Sequence, residues 1–188
     1  MQVLASTYWS QNRFDEVESI QEHVLQVRKR RQGGEHPSTV TTMAELALTY
    51  WAKGRYDEAE ELQVKVLEAR KQAYGEGHAE TLANMNNLGS IYHSQGRYEQ
   101  AEQLGKLVAD GIERALGADH PHRIGSMRNL LDTYEAMGER RRQEYETLCE
   151  QIQELETRAV WKQLLSPGTI EGWIEATLHR LNNDPNRS

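Results

Sequence analysis

Tyr8, Tyr50, Tyr92 and Tyr134 recur at one constant step along the chain, and no other feature limits the fold as much as this spacing. Leu4, Leu46, Leu88 and Leu130 keep the same step. So do Met43, Met85 and Met127, the glycines Gly54, Gly96 and Gly138, a second set at Gly33, Gly75 and Gly117, and His36, His78 and His120. A fixed period of this size is the signature of stacked helical units. Within a unit, apolar residues recur at helical spacing in two runs: Val40, Met43, Leu46, Ala47 and Tyr50, then Tyr56, Ala59, Leu62, Val66 and Leu67. The pattern predicts two helices per unit, with Lys53-Gly54-Arg55 as the turn between them and Gly75 or Gly77 closing the second. Pro37 and Pro121 suit a first helical turn, capped by Ser38 or by the preceding histidine. One such pair cannot bury its own apolar stripe, so neighbours must stack around a narrow shared core. The small residues Ala47 and Gly89, and Ala59 and Ala101, mark where helix axes come within about 8–10 Å. Glu58, Glu60, Glu61, Lys65, Glu68 and Lys71 are expected on the outer face.

Composition agrees with a thin body. Of 188 residues, 37% are apolar and 27% charged, with a net charge of -7 and a mean hydropathy of -0.81. The apolar share lies below the roughly 45–50% usual for globular domains. No stretch suits a membrane span, and the N-terminal residues lack the basic start and apolar run of a secretory signal. A net acidic chain with one Phe offers no general attraction to nucleic acid or anionic lipid. The run Arg28-Lys29-Arg30-Arg31 is a local exception, read as the cation-favouring end of a helix. Cys149 stands alone, which excludes an intramolecular disulfide and any cysteine zinc site and fits a reducing, cytoplasmic setting.

The segment Leu46-Ala47-Leu48-Thr49-Tyr50-x-x-x-Gly54-Arg55-Tyr56-x-Glu58-Ala59-Glu60, with the recurring Gly-x-x-His boundary and Asn86-Asn87-Leu88-Gly89, resembles a tetratricopeptide repeat. The variety is the long-period one of kinesin light chains and of the C-terminal arrays of fungal signalling receptors. The resemblance implies an all-α, right-handed superhelical solenoid of antiparallel helix pairs with a C-terminal capping helix. Residues 1–35 would be a truncated first repeat, 36–77 the second, 78–119 the third, and 120–165 a degenerate fourth with a long second helix. Residues 166–188 would form the cap helix and tail. In the fourth unit Leu130, Tyr134 and Gly138 persist, while Arg140 replaces the aromatic and Gln143 the small residue. At the other end Met1 enters halfway along a first helix. Upstream units are therefore expected, or an uncapped end that seeks a partner, a second copy included.

Catalytic and metal chemistry is not expected. Zinc ligands must converge at about 2.0–2.1 Å, whereas His36, His78 and His120 recur one per unit, and a capping role suits them and the His120-Pro121-His122 pair better. No phosphate-binding loop follows the glycines. Cys149 lies on an apolar stripe and reads as a packing residue, and the Glu pairs diverge along helices, so no cofactor is expected.

Binding is expected instead, in a groove lined by one face of each first helix. Carried over from the resemblance, the first unit presents Gln2, Ser6, Trp9 and Ser10, and the second Thr41, Ala44, Leu48, Trp51 and Ala52. The third presents Ala83, Asn86, Ser90, His93 and Ser94, and the fourth Gly125, Arg128, Asp132, Glu135 and Ala136. Trp9 and Trp51 share a column and either anchor a partner or pack between units. An amide at Asn86 can pair with an extended peptide through both donor and acceptor. Ala44 interrupts that column in the second unit, and Arg128 beside Asp132 and Glu135 makes no carboxylate clamp. The expected function is a non-catalytic protein-interaction scaffold holding a peptide segment with an apolar anchor, as the sensing or assembly arm of a larger signalling receptor. A kinesin-light-chain-like cargo adaptor and a self-assembly module are the alternatives.

Overall fold

The computed structural model describes Trp9, Gln11 and residues 13–164, with side chains as far as 160. The expected cap helix around Ile170, Trp173, Ile174 and Leu178, and most of the expected first helix, lie outside these residues. Among the described residues seven α-helices follow one another: α1 (Phe14–Gln32), α2 (Pro37–Ala52), α3 (Tyr56–Tyr74), α4 (Ala79–Ser94), α5 (Tyr98–Leu116), α6 (Pro121–Met137) and α7 (Arg142–Leu164). A short 3-10 turn, Gly138–Arg141, joins the last two, and no strand occurs among the described residues. No described helix is long and apolar enough to cross a membrane.

The two glycine columns turn the chain twice per unit. Gly33, Gly75 and Gly117 end the second helices at φ of 88°, 86° and 95°, and Gly54, Gly96 and Gly138 follow the first helices at 75°, 74° and 62°. These angles favour a residue without Cβ. At the start of each first helix the cap is the histidine, not Ser38. The backbone N–H groups of Ser38, Glu80 and His122 each donate to the Nδ1 of His36, His78 and His120 at 3.2 Å. The imidazole thereby occupies one of the orphan donors of the first turn. Replacing His78 by alanine should cost about 1 kcal/mol, the usual value of a side-chain cap. Chemical denaturation of the variant and the parent chain checks this.

Each helix packs on the next in sequence, and α2 also touches α4 and α4 touches α6, whereas the second helices α1, α3, α5 and α7 do not meet one another closely. First helices therefore line the inner side of the array and second helices the spread outer side. Three apolar clusters run along the axis. Leu25, Val40, Met43, Ala44, Leu46 and Val66 form one, Leu82, Met85, Val108 and Ile112 the next, and Met127, Leu130, Tyr134, Met137, Leu148, Ile152 and Leu155 the last. Ala47, Ala59 and Ala101 are buried where the small columns meet. Gly89 is less constrained: an added Cβ would lie 3.7 Å from Leu104 Cβ, an ordinary contact.

Candidate functional site

A polar clamp between units, placed on the outer face by hydropathy alone, fixes how the inner helices are presented. Glu18, Glu60 and Glu102 keep the repeat spacing on the second helices, and each faces the turn of the following unit. Arg55 Nη1 donates to Glu18 at 2.6 Å, and Lys53 also pairs with it. Arg97 Nη1 donates to Glu60 at 2.6 Å and Gln95 Nε2 at 2.9 Å. The guanidinium carbons of Arg55 and Arg97 sit 4.2 Å from the ring centroids of Tyr50 and Tyr92, in cation–π geometry. So the repeated tyrosine is a platform for the clamp as well as a packing residue. Burial and the hydrogen bond to Glu22 push the Tyr50 hydroxyl up to about 12.

The fourth unit breaks this pattern and repairs it. Glu139 occupies the position one repeat after Arg97, where a carboxylate would repel Glu102. The 3-10 turn delivers Arg141 to Glu102 at 3.1 Å instead, and Lys106 of α5 pairs with the same carboxylate at 2.6 Å. Arg140, in place of the aromatic, reaches Glu99 at 2.9 Å.

On the inner face the expected groove residues differ in exposure and partners. Ser6 lies outside the described residues. Trp9 and Trp51 are exposed at 37% and 38%. The Trp9 ring meets Phe14 edge-on at 5.1 Å, and Trp51 Nε1 donates to Ser94 Oγ at 2.9 Å, which ties it across to the next first helix. The Trp51 ring is thus held in place at the surface. Thr41, Leu48, Asn86, Ser90 and His93 lie exposed or half-buried along α2 and α4. Ala44 does not line the groove: it belongs to the core cluster with Leu25 and Val66 and is 8% exposed. Its column points between helices, and the longer Asn86 and Arg128 reach outward from the same register where alanine does not.

The fourth-unit residues Arg128, Asp132 and Glu135 are exposed on α6. Arg128 is engaged by Glu156 of α7. Asn86 Oδ1 accepts from Asn129 Nδ2 at 3.1 Å, so a single amide pair links the third and fourth units diagonally, one position off the column that Ala44 interrupts. His93 Nδ1 lies 3.3 Å from Thr133 Oγ1 and carries the same link further along the helix pair. Cys149 is half-buried rather than a core residue, on the face of α7 that carries Tyr145. Among the described residues no group of three His, Cys, Asp or Glu is placed to hold a metal ion.

The sequence pattern of the tetratricopeptide repeat matches residues 1–72 and 41–111, more than half of the chain. The chain belongs to the tetratricopeptide repeat family. Solved structures of similar shape agree with that assignment. Two crystal structures of a Podosopora anserina protein named for kinesin light chain, with nearly identical TPR-like repeats, are each 29% identical to it. They have TM-scores of 0.72 and 0.70, and each match covers 83% of this chain and 73% of that one. BtubC (BKLC) from P. vanneervenii shares the fold at 22% identity and a TM-score of 0.75, covering 83% of this chain and 61% of that one. No curated protein matches the chain in sequence. Tetratricopeptide arrays are protein-interaction scaffolds, typically without catalytic activity, and this chain has that architecture with the kinesin-light-chain-like repeat.

Proposed function

We propose that the array holds a peptide segment of a partner protein against its inner face. The observation that carries the reading is the row of side chains that the inner helices present without burying them. Trp51 offers an aromatic surface held by Ser94, and the Asn86–Asn129 pair, about two helical turns from Ser94 along α4, leaves amide hydrogens for a peptide backbone. Aromatic side chains fixed by a hydrogen bond lose little entropy on binding, which suits an anchor. In this reading the chain is the sensing or assembly arm of a larger signalling receptor. A kinesin-light-chain-like cargo adaptor is the second reading, favoured by the Podosopora anserina relative's name.

A peptide array probed with the purified chain and with a Trp51→Ala, Asn86→Ala variant tests the proposal. The variant is expected to lose most of the captured peptides, each by about ten-fold or more, the cost of one anchor. Both substitutions lie at exposed or half-buried positions, so helicity should not change. If every captured peptide binds the variant as well as the parent chain, the inner face is not the binding surface.

A further inference from the structure

On the reading that the inner face holds a peptide, we infer that its ligand is an apolar side chain flanked by basic residues, seated between the third and fourth units. The basis is a column that changes chemistry along the array. Arg28, Arg70 and Ile112 hold equivalent repeat positions near the ends of α1, α3 and α5. Arg28 Nη1 donates to the Ser38 carbonyl at 2.7 Å and to Thr42 Oγ1 at 2.6 Å. Arg70 Nη1 donates to the Glu80 carbonyl at 3.0 Å, and its other nitrogen pairs with the Glu80 carboxylate at 2.7 Å. One turn on, Tyr74 stacks on the His78 ring at 4.7 Å. The first two junctions are thus bridged by polar and aromatic groups that satisfy one another.

At the third junction the same two positions are Ile112 and Leu116, and neither can make such a bridge. They line a cleft of about 420 Å³ between α4, α5 and α6. Leu82, Val108, Ile112 and Leu116 wall it, with Gly125 and Asn129 on its rim. Leu116 is 42% exposed, and a Cβ added at Gly125 would meet nothing within 4 Å. The corresponding second-junction cleft is similar in size, about 390 Å³, but Arg70, Tyr74, His78 and Glu80 line it. Of the two, the third-junction cleft offers an apolar side chain the more apolar wall, with Asn86, Asn87, His122, Ser126 and Asn129 as its polar lining. The Asn86–Asn129 pair lies at its edge, within reach of a ligand backbone.

Charge selects what flanks that side chain. The Arg and Lys side chains of α2, α4 and α6 are Arg123 and Arg128, and both are engaged, Arg123 by Glu113 at 2.9 Å and Arg128 by Glu156. Glu80 is matched by Arg70, and Arg28 offsets part of the charge of Glu45. Asp132 and Glu135 face no cation in any ion pair among the described residues. Asp132 shares the face of α6 that carries Gly125 and Asn129 and lies two helical turns beyond Gly125, about 10 Å along the axis. An extended ligand covers that distance in about three residues. A lysine or arginine three positions from the anchor would meet Asp132, whereas an acidic residue there would be repelled.

Fluorescence anisotropy with labelled nonapeptides tests this on the full chain. One carries a central leucine with lysines three positions to either side, the second has glutamates in place of the lysines, and the third has alanine in place of the leucine. At about 50 mM salt, where screening is weak, the lysine peptide should bind at least ten-fold tighter than either of the others. Ile112→Arg with Leu116→Tyr, which places the second-junction residues at the third, should weaken it at least ten-fold with helicity unchanged. Asp132→Asn with Glu135→Gln should remove most of the preference over the glutamate peptide. Equal or tighter binding of the glutamate peptide overturns the inference and leaves the inner-face reading intact. Failure of all three peptides also overturns it, and the array experiment then decides the inner-face reading separately. Self-association that the lysine peptide does not disperse would assign the cleft to a second copy and likewise overturn it.

Discussion

Replacing Met127 by alanine is expected to destabilise the chain by about 2–5 kcal/mol, the range for emptying a buried methionine site. Met127 is 2% exposed and packs with Leu130, Tyr134, Leu148, Ile152 and Leu155, so it joins α6 to α7. In a stacked array each unit contacts only its neighbours, and stability is close to a sum of unit and junction contributions. The loss should therefore fall on the fourth unit first. Amide hydrogen exchange in α6 and α7 should accelerate strongly, while amides around Val66, in the cluster shared by α1, α2 and α3, keep most of their protection. Met43→Ala, in the same column of the second unit, should give the mirror result. Equal loss of protection from α1 through α7 would mean that the array unfolds as one block.

The helical bounds were legible because each is marked by a residue with one physical job. Gly33, Gly75 and Gly117 take positive φ where a second helix ends, and the histidines cap the first helices. The choice between Ser38 and His36 as cap was not legible, since either side chain can accept from an N–H of the first turn. Glu60 was misplaced on the outer face for a different reason. Helical periodicity ranks positions by hydropathy, and a carboxylate ranks as solvent-facing even when its partner, Arg97, comes from the next unit. The signal was present: Glu18, Glu60 and Glu102 keep the period, as do Arg55 and Arg97. Gln63 and Asn84 were hidden in the same way. Both are fully buried, and Asn84 Nδ2 donates to the Gln63 side-chain oxygen, a pairing between units that no single helix reveals.

For the inner face, the resemblance named Thr41, Leu48, Trp51, Asn86, Ser90 and His93, which lie exposed or half-buried on α2 and α4. What register could not give was side-chain partnership. Asn86 meets Asn129, one position off its own column, and Trp51 meets Ser94. The apolar lining of the third-junction cleft was hidden because it arises from a column that changes, not from one that repeats. Ile112 is informative for what it lacks relative to Arg28 and Arg70.

Acid should loosen the array through the clamps, and the sign follows from the carboxylates. At Glu18, Glu60 and Glu102 burial favours the neutral acid, but the bonds from Lys53 and Arg55, from Arg97 and Gln95, and from Lys106 and Arg141 outweigh it and hold each below the ordinary value of 4.5. A carboxylate depressed in the folded state contributes fully above its unfolded pKa and loses that contribution as pH falls through its folded pKa. The melting temperature should therefore be nearly flat from about pH 7 to 5 and drop below about pH 4.5. Glu60→Gln should cost about 1 kcal/mol at neutral pH, as befits a pair that is partly exposed, and should fall less steeply in acid. Glu45 is the internal contrast. Burial raises its pKa against a weaker pull from Arg28, so its charge opposes folding at neutral pH. Glu45→Gln should accordingly leave the chain as stable as before or more so at pH 7, with a steeper acid loss than Glu60→Gln. Thermal melts of the three proteins between about pH 7 and 3 check this. If Glu60→Gln follows the parent curve at every pH, the clamps do not couple the units.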